Sequence, residues 1–199
     1  MANFISNNLS NKSKVCKMKK YKLTENEQVV SGRTLYQIQA LKSFRDVKKG
    51  ELGGWIEKES NLSQEGDCWV YYNAEVFGDA EVFDNAMVFG DARVSGFAIV
   101  SGYAVVFSHA VVTGHALVSG NALVFGNALV SDNARVYGNG KISGYAGVSG
   151  HAVVTGHAVV SGHAVVSGNA LVSGNAIISG HALVSNDDIV VISDIGVKK

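Results

Sequence analysis

From Gly66 to Ser185 the chain repeats every six residues, twenty times, with no insertion or deletion. With GNALVS taken as the unit, the fifth slot is valine throughout except at Ile142 and Ile178. The third slot is alanine in eighteen units, with Cys68 and Gly140 as the exceptions. The first slot is glycine in sixteen, replaced by Tyr72, Asp84, Ser108 and Asp132. A strict period of six, rich in valine and glycine, fits no 3.6-residue stripe, so helix is excluded.

Slots three and five lie two apart and share one side of a strand, whereas slot four points the other way. Slot four accommodates Glu75, Glu81, Arg93, Arg135 and Lys141, which an apolar core would not tolerate. Slots three and five therefore face inward, and slots four and six outward. Slots one and two, glycine followed by Asn, Asp or His, make corners, since these residues tolerate positive φ. Short strands joined by corners every six residues predict a β-solenoid. Slot six sets the number of sides. Tyr71, Phe89, Phe107 and Phe125 recur at intervals of eighteen, as expected if three hexads complete a coil and these rings stack. The fold class is thus all-β, a single-chain triangular prism of about six to seven coils, ~30 Å tall at the usual inter-strand spacing.

Composition agrees once the repeat is seen. Glycine numbers 23, but sixteen of these are corner residues, so the count marks order rather than flexibility. Proline is absent, as strands that must donate to neighbours above and below require. The 17 basic and 17 acidic side chains balance, which argues against a nucleic-acid partner. That neutrality averages a basic opening, residues 1–65, and an acidic remainder. Two cysteines fit a reducing compartment, and no apolar run is long enough to span a membrane. The expected localisation is cytoplasmic.

The inward valine with alanine two places before it resembles the hexapeptide motif of the left-handed β-helix superfamily, which includes bacterial acyltransferases. More closely, ELGGWIEKESNLSQEGDCWVYYNAEVFGDAEVF at Glu51–Phe83 resembles hexapeptide-repeat proteins of bacteriophages and prophages. The similarity runs from about Lys19 to Ser185, and LGGW is its most specific part. It implies a left-handed coil, a homo-oligomer with a trimer favoured, and a phage- or prophage-encoded protein of the host cytoplasm. Such proteins usually continue into a small C-terminal domain, whereas this chain ends in DDIVVISDIGVKK.

Outside the repeat, residues 1–18 read as a disordered basic lead carrying Cys16. Residues 19–65 read as an N-terminal cap with a pair of short strands. A solenoid end exposes apolar core and unpaired edges, and must be covered. Trp55, Ile56 and Leu62 are the candidate plug. Residues 186–199 read as one more strand and a tail, with Asp187, Asp188, Lys198 and Lys199 guarding the edge.

All six histidines, His109, His115, His151, His157, His163 and His181, occupy slot two. Only His163 and His181 are vertical neighbours, and they are the residual metal candidates. Zinc wants three or four converging ligands, so the expectation is corner residues, with no metal, no cofactor and no catalytic residue. Twenty uninterrupted hexads leave flat faces without a cleft. On one face, Trp69/Tyr71, Met87/Phe89, Val105/Phe107 and Leu123/Phe125 form an apolar strip that ends at Lys141/Ser143. Such a strip marks an interface. It is covered either by the N-terminal segment folding back or by other subunits, and the oligomer is preferred.

The sequence thus reads as a non-enzymatic scaffold or binding solenoid. The alternative is an acyltransferase or metal-dependent enzyme with sites between subunits. Lesser alternatives are end-to-end polymerisation and ice binding through later pairs such as Val153/Thr155 and Val165/Ser167.

Overall fold

The computed structural model describes residues 18–192, all-β apart from one 3₁₀ turn at Glu59–Asn61. The expected basic lead, except Met18, and Cys16 lie outside the described residues. Strands β1 (Tyr21–Val30) and β2 (Arg33–Ala40) form an antiparallel hairpin. Its two turn residues, Ser31 and Gly32, both have positive φ, as a two-residue hairpin of the mirror-image class requires. Strand β2 pairs antiparallel with β3 (Leu52–Ile56). From there the chain coils.

Two-residue strands then follow one another around a triangle, beginning with β4 (Trp69–Val70), β5 (Glu75–Val76) and β6 (Glu81–Val82). Each pairs in parallel with the strand eighteen residues on, as in Val105↔Leu123 and Val106↔Val124. Three sheets result. The Phe107 face runs from Trp69–Val70 to Ile177–Ile178, and the Leu117 face from Glu81–Val82 to Ile189–Ile192, with seven strands each. The Val111 face has ten strands, because it also takes β3 and the hairpin.

The coil opens earlier than the first hexad. Strand β3 joins β5 in parallel through Trp55↔Glu75 and Ile56↔Val76, and Leu62 bridges Val82 in the same sense. The Val111 face is therefore eight coil strands high, one more layer than the hexads alone supply. Both pairings span twenty residues, whereas Val70↔Val88 spans eighteen. The first coil accordingly has one corner two residues longer than the rest, between Leu62 and Val70.

Each coil is welded to the next by main-chain bonds at slots two, four and six. Leu123 N–H donates to Gly140 O at 2.9 Å, Phe125 to Ile142 O at 2.9 Å and Asn127 to Gly144 O at 2.7 Å. Most corners close on themselves by a slot-three N–H donated to slot six, as from Ala122 to Ser119 O at 3.3 Å. Positive φ falls on slot one alone, at its glycines and at Tyr72, Asp84, Ser108 and Asp132. Slot two does not share it, so His and Asn are there for a different reason: their side chains leave the prism at its edges. The two aspartates at slot one offset their strained backbone by reaching one coil onward. Asp84 Oδ2 accepts from Gly102 N–H at 3.1 Å, and Asp132 Oδ2 from Gly150 N–H at 3.0 Å.

All twenty slot-five side chains are buried, as is every slot-three residue except Ala182 in the last, uncovered coil. Glu81, Arg93, Arg135 and Lys141 are exposed at slot four. Glu75 points outward too, yet is nearly buried, because the hairpin covers it. Its carboxylate accepts from Gln28 Nε2 at 3.2 Å and lies 2.8 Å from Arg93 Nε.

The N-terminal end is closed by Tyr21, Ile38, Ala40 and Val47, which join one continuous core with Ile56 and Leu62. Of the three expected plug residues, Trp55 differs. It occupies a slot-four register opposite Glu75, stays half-buried and faces outward. Parity, not size, decides which side of a strand a residue takes.

Candidate functional site

The apolar strip on the Phe107 face is the most developed outward feature, and its two ends differ. At the N-terminal end the cap folds back over it. Trp69 is fully buried, with its ring edge-on to Tyr21 at 6.0 Å and to Phe44 at 5.4 Å between centroids. Its indole N–H finds no acceptor, a cost on the order of 1–3 kcal/mol that apolar packing must offset. Tyr71 is nearly buried, and its hydroxyl donates to Asp46 Oδ1 at 2.7 Å. Burial, with Asp46 beside it, pushes the Tyr71 phenol well above its ordinary range. The covering of these two residues is intramolecular. Folding back of the N-terminal segment, the less favoured covering in sequence terms, accounts for this part of the strip.

Beyond the cap the strip is open. Met87, Phe89, Val105, Phe107, Leu123 and Phe125 are half-buried, exposed on their outer sides. Phe89 and Phe107 stack at 4.9 Å and 16°, and Phe107 and Phe125 at 4.9 Å and 7°. That separation is the inter-strand spacing of the sheet beneath, so the backbone ladder dictates the ring ladder. Where the cap ends, Asp46, Tyr71, Tyr72, Met87 and Phe89 line a hollow of about 190 Å³. The strip stops at the charged Lys141.

The cap itself rests on buried polar contacts that the repeat pattern does not announce. Lys20 is fully buried, and its Nζ donates toward Cys68 O at 2.9 Å, Glu65 O at 3.3 Å and Gly66 O at 3.4 Å. These carbonyls belong to the longer corner of the first coil, which cannot complete the usual ladder. Desolvation holds the Lys20 amine below its ordinary pKa, and burial pushes the Cys68 thiol up. The Tyr21 hydroxyl lies 2.6 Å from Leu62 O and 3.0 Å from Glu59 O. Gln64 Oε1 accepts from Lys20 N–H at 2.7 Å.

The histidines fall on three edges. His163 and His181 stack at 5.0 Å and 8°, continuing a stack with Tyr145 at 5.0 Å. Parallel rings present their nitrogens in separate planes and do not converge on one ion. His109 Nδ1 lies 3.6 Å from Asp91 Oδ2, and His115 stacks on Phe97 at 4.7 Å. His115 and His151 share an edge, where Ile99, Leu117, Asn133 and Arg135 complete a shallow hollow of about 380 Å³ with them. Among the described residues, no group of three or more His, Cys, Asp or Glu could hold a metal ion. Among them, too, no helix is long and apolar enough to cross a membrane.

Comparison with known proteins agrees with this architecture. Residues 164–180 match the family described as the YdcK β-solenoid repeat. The chain is also similar to the uncharacterised acetyltransferase YdcK of Escherichia coli (strain K12), 43% identical over 70 residues. That stretch is 31% of this chain and 22% of the relative, so less than a quarter of the relative's length is spanned. Both matches support a hexapeptide-repeat β-helix relationship.

Proposed function

We propose that the chain is a non-enzymatic β-solenoid that self-associates through the Phe107 face, as a homotrimer, and acts as a rigid scaffold or binding module. The observation that carries this reading is the uncovered part of the strip: three stacked phenylalanines flanked by Met87, Val105 and Leu123, with outer sides in water. A contiguous apolar surface of this kind is characteristic of an interface. Three copies around one axis bury three such strips together. The Glu51–Phe83 resemblance adds the setting, a phage- or prophage-encoded protein in the host cytoplasm.

Sedimentation equilibrium tests the association. The wild-type protein is expected to be trimeric at micromolar concentration. Phe107→Asp is expected to weaken association on the order of 100-fold, the usual consequence of losing a central aromatic anchor. The side chain is outside the core, so circular dichroism should be unchanged. A wild-type monomer at high concentration would sink the reading.

The similarity to a protein named an acetyltransferase favours a second reading, acyl transfer. The hollow that brings His115, His151 and Arg135 together is the place for it, with an imidazole as base for an acceptor hydroxyl or amine. Under this reading a purified sample transfers acetyl groups from a thioester donor, and His115→Ala and His151→Ala each reduce the rate at least ~100-fold. Turnover that both variants retain in full would exclude this site.

A further inference from the structure

Two departures from the repeat coincide at the N-terminal end of the solenoid. Slot three is alanine in eighteen of twenty hexads, and only Cys68 brings a heteroatom there. The same coil receives the fully buried Lys20. Lys20 Nζ lies 3.2 Å from Cys68 Sγ, and the Phe44 ring sits 5.4 Å away on another side. The amine is pinned in place by Cys68 O at 2.9 Å, with Glu65 O and Gly66 O at 3.3 and 3.4 Å. The thiol is held toward Ser63 O at 3.6 Å and Glu65 O at 3.7 Å. An alanine at 68 would leave all of Lys20's carbonyl contacts intact, so packing alone does not call for the sulfur.

We propose that Lys20 and Cys68 form a reversible covalent bridge, Nζ–O–Sγ, on exposure to dioxygen, and that it locks the N-terminal cap onto the first coil. The amine and thiol face each other across a gap suited to one bridging oxygen, and both are fixed there by the surrounding carbonyls. The reaction starts from the neutral amine and the neutral thiol, the forms that burial favours at both groups. One dioxygen is consumed. Its O–O bond, the S–H bond and one N–H bond break, while O–S and O–N bonds form and the second oxygen leaves as water. Sulfur and nitrogen each give up two electrons, and the two oxygen atoms take up the four. Two molecules of a dithiol reductant return the amine, the thiol and one water. Burial keeps bulky oxidants out, whereas dioxygen is small and apolar enough to enter when the cap breathes.

The test uses the full chain with Cys16→Ser, which removes the other thiol, in air-saturated buffer and under anaerobic reduction. Mass spectrometry of the oxidised sample should find a Lys20 peptide joined to a Cys68 peptide, heavier by one oxygen and lighter by two hydrogens. Dithiothreitol should reverse it. The oxidised form should melt about 10 °C higher, as expected for closing a loop of this length. Cys68→Ala and Lys20→Met should each abolish the mass change and the redox-dependent shift. The alanine variant restores the residue that other coils carry, so its loss of the bridge reports chemistry and not unfolding. Three results would overturn the proposal: unmodified peptides after prolonged oxidation, oxygen added to Cys68 with no joined peptide, or a link that lacks the oxygen.

Discussion

Gly53→Ala should lower the melting temperature by ~10 °C, the shift that about 3 kcal/mol of overpacking causes in a chain of this size. Its backbone does not have positive φ, so the requirement for glycine is one of space. A Cβ at 53 would lie 2.6 Å from Val70 O and 2.7 Å from both Ile38 Cγ1 and Trp69 Cζ2. The carbonyl belongs to the coil, the isoleucine to the hairpin, and the indole to the covered end of the strip. Relief at one contact tightens another. Gly54 repeats the argument, with Ala74 O at 2.6 Å and Val70 Cγ1 at 2.7 Å from the added carbon. Ala74 O already accepts from Trp55 N–H at 2.9 Å, the bond that ties β3 to the coil. Gly147 is the control. It sits at slot four with nothing within 4 Å of an added Cβ and no positive φ. Gly147→Ala should leave stability unchanged or raise it by ~0.4–1 kcal/mol through the unfolded chain. Equal melting curves for Gly53→Ala and Gly147→Ala would refute the close-approach account.

Gly53 and Gly54 also lie where the six-residue period does not reach. Everything that depends on the period is legible from it: which slots are inside, where the corners fall, three hexads to a coil, and the Phe89–Phe107–Phe125 stack. Each follows from local parity repeated without error. The cap follows no period, and its contacts join residues 20–47 to residues 59–71, far apart in the chain. Hence Trp69 reads as exposed interface although Tyr21 and Phe44 cover it, and Lys20, at the start of the expected cap, carries no sign in the sequence that it is buried among carbonyls. One signal was present. Gly54–Trp55–Ile56 fits slots three to five, with Trp55 outward and Ile56 inward, and so places the first strand ahead of the first hexad. The longer corner between Leu62 and Val70 hides that register by two residues. The open part of the strip was legible because its residues lie within the hexads. What would cover it leaves no trace in parity.

The same parity makes the solenoid's response to deletions depend on their length. Removing Gly120–Tyr137, one whole coil, should give a folded protein one inter-strand spacing shorter, ~4.8 Å by small-angle scattering. Ser119 then meets Gly138, corner follows strand as before, and every later residue keeps its face. Stability should fall only by one repeat and its interface. Removing Gly120, Asn121 and Ala122 should be far worse, although fewer atoms are lost. The chain loses a corner and ~10 Å of reach on one side of the triangle. Leu123 follows Ser119 directly, which turns Val124 outward, and the coils above and below can no longer stack in register. Several buried valines at ~1.5–3 kcal/mol each are at stake, enough to abolish a single cooperative transition. Removing Gly120–Phe125 separates stability from association. Corners and core recur every six residues, so the prism still closes, but each later outward residue moves round by one face. Ser131 then takes the place of Phe125 beside Phe107, and the aromatic ladder is cut. Thermal melts should rank the coil deletion and the hexad deletion near the parent, with the three-residue deletion unfolded. The hexad deletion should also weaken self-association. Similar melting of the three-residue and eighteen-residue deletions would show that the period does not govern closure.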